Sequence, residues 1–279
     1  MKKYFLITIS IAIFIITGCQ NSEVSDISNK MTLNQAIEQA TTTKEEGKVL
    51  AADLENISAE VPILIYHHIR NATDKDSQSN LQFIVAPKIF ENQMKYLSEN
   101  NFTSISFKNL ADYFEGKFTL PKKPIIISFD DGLINQYKNA LPVLKKYNLT
   151  ATFFIFTNPL GRSQNYIDWD QLKELDNLGM EIGSHGFYHL FLNKITETEL
   201  EKEVVESKKL IEENIGHEIY AFAYPFGVYN EKVTQKIKDS GYTTSRDIIN
   251  GTTHTKKDLF ELKGYFITEN FSRFKSIIK

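Results

Sequence analysis

The sequence predicts an α/β protein built on a parallel β-sheet, either open or closed into a barrel. Two observations predict it. From residue 61 onward, short apolar runs alternate with amphipathic stretches, and that alternation builds parallel sheets with helical crossovers. Several of the amphipathic stretches also end in Gly or Asn, as helix C-termini do. The strand candidates, in order, are "PILIY" (62–66), "FTSIS" (102–106), "PIIISF" (124–129), "ATFFIF" (151–156), "MEIGS" (180–184), "YAFAY" (220–224), "YTTS" (242–245) and "LKGYFI" (262–267). Helices are expected between them. "PKIFENQMKYLSENN" puts Ile89, Phe90, Met94 and Leu97 on one face. "INQYKNALPVLKKYN", "DQLKELDNLG", "TETELEKEVVESKKLIEENIG", "NEKVTQKIKDSG" and "NFSRFKSIIK" follow. In "DWDQL", Asp168 reads as a helix cap and Trp169 as packing or rim.

The composition bounds the function. The chain has 279 residues, a formal charge of -3, 42% hydrophobic and 24% charged residues, so it is globular rather than disordered. It is not basic, and its Lys-Lys pairs are scattered, which disfavours nucleic acid as a partner.

The N-terminus is distinctive. Lys2 and Lys3 precede the apolar run "YFLITISIAIFIITG", which leads to Cys19. This is the pattern of a signal segment, and the run is shorter than the roughly 20 residues of a membrane span. "ITGC" resembles a bacterial lipoprotein lipobox, with Ile16 where leucine is commoner. The resemblance implies cleavage after Gly18, lipid on Cys19, and an extracytoplasmic, membrane-anchored protein. Residues 1–18 are then a signal peptide, 19–60 a polar tether with a short helix possible around Leu33, Ala36, Ile37 and Ala40, and 61–279 the functional domain. Cys19 is the only cysteine, so the domain has no disulfide, thiol nucleophile or thiolate ligand.

In parallel α/β folds chemistry sits at the C-terminal ends of the strands. Four strand ends here carry suggestive residues: His67-His68, Asp130-Asp131-Gly132, His185 with His189, and Pro225-Phe226-Gly227. Taken singly, each is more often a turn, a cap or a packed histidine. Together on one rim they change meaning. Two adjacent carboxylates repel, and water, a cation or a shared proton must relieve that. A carboxylate with two imidazoles makes a three-ligand metal set with open positions. One aspartate can then bind metal while the other stays free as a base.

These residues carry a resemblance. "SFDDG", "SHGFYH" and "AYPFG" are similar, in order and spacing, to the three motifs of the polysaccharide deacetylase family, or NodB homology domain. "VPILIYHHI", "FENQMKYLSENNFTSIS" and "FAYPFG" look most like its poly-N-acetylglucosamine deacetylase subgroup. The resemblance implies a distorted (β/α) barrel of about seven parallel strands. It implies Asp130 as general base and Asp131, His185 and His189 as metal ligands, with Tyr224 and Phe226 on the substrate and oxyanion side, the Phe226 N–H as donor. The sequence departs from the motifs in three places. Gly186 stands where Ser or Thr is usual, Ala223 stands where arginine is usual, and the late L-x-H histidine is missing. His67 is the expected substitute acid, because the first strand of a closing barrel neighbours the last. His254 sits in what reads as a polar loop, "NGTTHTKK".

The expected function is a metal-dependent hydrolase that removes acetyl groups from an N-acetylated cell-surface polysaccharide, poly-N-acetylglucosamine or peptidoglycan. Zinc is the first choice of metal, with cobalt, nickel or iron as alternatives. The expected partners are the glycan and, through lipid on Cys19, the membrane, with the protein a monomer. Trp169, Phe187, Tyr188 and Tyr229 are candidates to stack on sugar rings. Two rival readings are a non-catalytic sugar-binding envelope lipoprotein and a glycosidase. The glycosidase needs two carboxylates about 5–9 Å apart across the bond, a poor match for adjacent aspartates.

Overall fold

The computed structural model describes residues 57–279. The signal segment, Cys19 and the tether up to residue 56 lie outside the described residues. The strands are β1 (Ser58–Glu60), β2 (Ile63–Tyr66), β3 (His68–Ile69), β4 (Ile84–Val85), β5 (Thr103–Ser104), β6 (Pro124–Phe129), β7 (Thr152–Ile155), β8 (Glu181–Ser184), β9 (Ala221–Ala223), β10 (Thr244–Arg246), β11 (Thr253–Thr255) and β12 (Tyr265–Phe266). Each of the eight strand runs read from the sequence yields a strand of one sheet. Its order is β10-β9-β8-β7-β6-β2-β12, with β5 alongside β6, and its pairings are parallel.

The sheet curls until its edges nearly meet. Leu262, just before β12, pairs with Arg246 of β10. Leu262 N–H donates to the Ser245 carbonyl (2.9 Å), and Asp247 N–H donates to that of Leu262 (3.0 Å). The result is the seven-strand distorted barrel that the motifs implied. β12 lies beside β2, as a closing barrel requires.

Side chains alternate between the two faces of a strand, and both faces here are buried. Leu64, Ile127, Phe153, Ile182 and Phe222 point outward into the larger core, which the surrounding helices cover. Ile63, Ile126, Phe154, Ala221 and Ala223 point inward and pack with Leu110, Ala111 and Phe114 of the helix Phe107–Phe114. The fully apolar strands follow from this double burial.

The remaining helices match the sequence closely. Pro87–Glu99 begins with Pro87 and buries Phe90, Gln93, Met94 and Leu97. Asp168 caps Trp169–Asn177 in a reciprocal box with Gln171. Ser207–Ile215 ends at Gly216, which takes the left-handed conformation (φ 86°). The helix Phe107–Phe114, with its Ser106 cap, was not read from the sequence.

Two details correct the sequence reading. The fold begins before residue 61: β1 pairs antiparallel with β11, and Ile57, Ala59 and Val61 are buried. His254 is not in a polar loop. It lies in β11, fully buried, and its Nε2 donates to the Val61 carbonyl (3.1 Å). Charged and polar neighbours hid a strand whose one inward side chain is the histidine.

Candidate active site

The inward row of each strand continues past its C-terminal end into polar residues. Ile63 and Ile65 lead to His67, Ile126 and Ser128 to Asp130, and Gly183 to His185. Thr244 leads to Arg246. Period-two alternation therefore delivers these side chains to the concave side of one rim. There they meet around a cavity of about 410 Å³ lined by His67, Asp130, Asp131, His185, His189 and Phe226, among others.

Asp131 and the two histidines form the first group. His189 Nε2 is 3.1 Å from His185 Nε2, and the two nitrogens are 3.7 and 3.8 Å from Asp131 Oδ1. Among the described residues this is the one cluster of three side chains able to hold a metal ion. Two ligands about 2.1 Å from a tetrahedral ion sit roughly 3.3 Å apart, so the spacing fits. The chemistry of the donor set fits too. His185 Nδ1 donates to the Ala223 carbonyl (2.7 Å), which turns an unprotonated Nε2 to the cavity. Burial lowers His185 to about 4 and, helped by His185, lowers His189 to about 3. Both are neutral at pH 7, the form able to bind a metal. Asp131 is pushed up to about 7 by burial and by Asp130. A bound divalent cation would reverse that shift.

Asp131 (φ 79°), His189 (φ 63°) and Phe226 (φ 60°) all have left-handed backbone, which non-glycine residues seldom adopt. Gly132 (φ 69°) follows the same turn, where a Cβ would come 3.0 Å from Ile155. That accounts for the glycine of "SFDDG".

Asp130 belongs to a second group. Arg246 Nη2 donates to both its oxygens (2.6 and 2.7 Å), and both residues are almost fully buried. Burial alone would raise the Asp130 pKa, but Arg246, His185 and His67 together hold it below the ordinary carboxylate value. His67 Nε2 stands 3.8 Å from Asp130 Oδ2, with its ring packed against those of Phe83 and Phe266 (4.9 and 5.5 Å). Burial lowers His67 to about 4. Gln136 fixes the backbone of this pair, donating to the carbonyls of His67 (2.8 Å) and Asp130 (2.5 Å). It sits in a π-helical turn, Gln136–Ala140, an irregularity common at functional sites.

Arg246 resolves the departure at Ala223. The two residues are register partners on β9 and β10. The guanidinium therefore reaches Asp130 from one strand further along the sheet. Its signal in the sequence was an arginine directly after "YTTS", one residue past the expected strand end. Gln136 had no such signal.

The other site candidates separate. Phe226 lines the cavity, its ring 4.4 Å from that of His189. Tyr224 also borders it, but its N–H is spent on the Arg246 carbonyl (3.1 Å) and its hydroxyl on that of Phe260 (3.0 Å). His68 faces Asn135 (3.2 Å). Of the proposed sugar-stacking rings, Tyr188 is exposed. Trp169 and Tyr229 pack against the core, Tyr229 stacking on Tyr224 (4.2 Å). Phe191, which the sequence reading missed, is exposed and stacks on Phe226 at 3.9 Å.

Residues 117–245 match the polysaccharide deacetylase family. A poly-β-1,6-N-acetyl-D-glucosamine N-deacetylase of Staphylococcus aureus is 30% identical over 200 residues, 64% of this chain and 68% of that protein. This chain belongs to the polysaccharide deacetylase family. YxkH of Bacillus subtilis is 33% identical over 184 residues, 66% of this chain. The match spans 63% of the length of YxkH. A polysaccharide deacetylase of Bacillus cereus has a solved structure that superposes with a TM-score of 0.69 at 29% identity, covering 80% of this chain and 70% of that one. The Streptococcus pyogenes deacetylase solved with acetate shares the fold, with a TM-score of 0.74 at 24% identity over 79% of this chain and 99% of that one. Within the polysaccharide deacetylase family, this chain is one whose aspartate–arginine pair joins two non-adjacent strands, β6 and β10.

Proposed function

We propose that this chain is a metal-dependent hydrolase that removes acetyl groups from an N-acetylated cell-surface polysaccharide, poly-N-acetylglucosamine or peptidoglycan. One observation carries the reading. A carboxylate paired with a buried arginine shares a cavity with a three-ligand set. The Staphylococcus aureus relative, named for acting on poly-N-acetylglucosamine, supports the choice of glycan.

Each group has a separate job. Asp131, His185 and His189 would hold a divalent metal, zinc first and cobalt, nickel or iron otherwise, which would supply Lewis-acid polarisation of the acetyl carbonyl and lower the pKa of water. Asp130 takes the water's proton, and Arg246 keeps it ionised to do so. The Phe226 backbone N–H donates to the developing oxyanion. With its pKa lowered to about 4, His67 is neutral at pH 7 and does not start as a proton donor. Asp130, 3.8 Å away, passes it the proton taken from water, and His67 delivers that proton to the leaving amine. Tyr188, Phe191 and Phe226 are exposed aromatic side chains against which a sugar can pack.

The sugar-binding rival drew on the arginine missing at 223 and the missing late histidine, and Arg246 and His67 stand against Asp130 in their stead. The glycosidase rival needs a second, separated carboxylate, and the two that line the cavity are adjacent. The test is acetate release from defined glycans, with and without chelator. Chelator-sensitive acetate release is expected. Reducing-sugar release without acetate would favour the glycosidase, and metal content without turnover on any glycan the binding protein.

We further propose that lipid on Cys19 tethers the domain outside the cytoplasm. None of the helices among the described residues is long and apolar enough to cross a membrane. Metabolic labelling with a lipid precursor should mark the wild type and not Cys19→Ser. An unlabelled, unprocessed wild type would refute the anchor.

A further inference from the structure

The turn that carries the two histidine ligands is wound around a buried carboxylate from another element. Glu203 lies in the π-helical turn Lys202–Glu206, inside the helical run that starts at Glu197 and ends at Ile215, and is fully buried. Its Oε2 accepts from the Phe187 N–H (2.9 Å) and its Oε1 from the Tyr188 N–H (2.8 Å). The N–H groups of His189 and Leu190 also act on it. Its neighbour Lys202 covers the Phe187 and Tyr188 rings from outside (4.7 and 4.9 Å).

Gly186 is the complement of this carboxylate. Its φ is +90°, and a Cβ there would stand 2.4 Å from Glu203 Oε2. A side chain at 186 and the carboxylate of 203 cannot share that space. The turn is tied from below as well. Gly186 N–H donates to Ser184 Oγ (3.2 Å), Ser184 and Ser207 share a hydrogen bond (2.9 Å), and Ser207 donates to the Glu203 carbonyl (2.5 Å). His189 reaches its left-handed backbone (φ 63°) at the end of this turn. Without an acceptor for the Phe187 and Tyr188 N–H groups, nothing offsets the strain that brings His189 back over His185.

We propose that Glu203 is a positioning residue for the His185–His189 ligand pair, and that Gly186 is present because that carboxylate occupies the place of a side chain. Glu203 touches neither substrate nor metal. It sets the distance between two ligand atoms, and its effect is therefore on metal affinity first. The proposal rests on the metal-ligand reading given above.

The test is metal affinity of the metal-free full chain, measured by competition of Zn²⁺ with a chromophoric chelator and by the visible spectrum of bound Co²⁺. Glu203→Gln keeps the shape but turns an NH₂ against an N–H. It should weaken Zn²⁺ binding about 10–100-fold and alter the Co²⁺ spectrum, while circular dichroism stays that of the wild type. Gly186→Ala should weaken binding by the same route, and its penalty should shrink in a Glu203→Ala background, where the clash is gone. Glu181→Gln, at a carboxylate that caps a helix far from the ligands, should leave affinity and spectrum unchanged. Wild-type affinity and an unchanged Co²⁺ spectrum in Glu203→Gln would overturn the proposal, as would additive losses in the Gly186→Ala/Glu203→Ala pair. A wild type that binds neither ion would overturn the ligand reading itself, and this proposal with it.

Discussion

The two ends of the barrel each hold a hydrogen-bonded carboxylate, half-buried Glu181 at one and buried Asp130 at the other, and the difference between them separates a site from a scaffold. At the N-terminal end of β8, Glu181 accepts from the Phe107 and Lys108 N–H groups (2.8 and 2.9 Å) and from the Thr152 hydroxyl (2.6 Å). Those donors close around it and hold the first turn of a helix. At the C-terminal end of β6, Asp130 is held by one arginine nitrogen, and its remaining surface faces a cavity. The charge balance differs as well. Burial raises the Glu181 pKa more than its hydrogen-bond donors lower it. For Asp130 burial is more than offset by Arg246 acting together with His185 and His67, so its pKa is lowered and it stays ionised. A buried carboxylate becomes a usable base when its partner carries charge and leaves one side open.

The strongest way to test this contrast is Asp130→Asn. An amide cannot take the proton of water, so acetate release should fall on the order of 10²–10⁴-fold. Zinc content by elemental analysis should stay that of the wild type, because the three proposed ligands, Asp131, His185 and His189, are untouched. A metal-free Asp130→Asn would mean that the roles of the two aspartates are exchanged.

Next is Arg246→Ala. Breaking a buried ion pair by removing one partner costs about 3–5 kcal/mol of stability, read as a lower midpoint in urea. The sign for activity follows from the pairing. Arg246 lowers the Asp130 pKa, so its loss raises it, and the base is then protonated up to a higher pH. The acidic limb of the kcat/KM profile should move to higher pH. An unmoved limb would separate Arg246 from the base.

The N-terminal end has its own titration. The His254 pKa is lowered to about 4 by burial, against 6.5 in the unfolded chain. The unfolded state thus binds more protons between these values. The stability from this group is fully present above pH 6.5 and is lost as pH falls toward 4. The loss is about 3 kcal/mol, from roughly 1.4 kcal/mol per pKa unit. His254→Gln should flatten the stability profile in that window and leave the activity profile unchanged. A change in the activity profile would join the two ends of the barrel.

The smallest effect is expected at Glu181. Glu181→Ala removes a helix-capping acceptor and should cost about 0.5–2 kcal/mol, with kcat/KM unchanged. A fall in kcat/KM at constant stability would erase the distinction between the two carboxylates.

Several site residues were legible because they lie next to one another in sequence at a strand end. Asp130-Asp131-Gly132 and the His185–His189 pair were read from a short stretch each, and Asp131, His185 and His189 lie together in the structure. Arg246 was not legible as Asp130's partner, because 116 residues separate them and only the strand order brings them together. Glu203 was hidden for a related reason. It sits in an amphipathic helix whose pattern marks an acid as solvent-facing, yet a π-helical turn and a glycine seventeen residues upstream in the chain let it turn inward.

The sequence by itself determined the strands of the main sheet, most of the helices, their order and the rim on which chemistry sits. Backbone geometry makes apolar runs into strands and places their ends on one side of a parallel sheet. Tertiary structure alone decided what each rim residue faces. Curling the sheet until β10 meets the segment before β12 carries the guanidinium of Arg246 across the barrel to Asp130. The same closure sets His67 beside both. No local periodicity encodes that approach, because it depends on the path of the whole sheet.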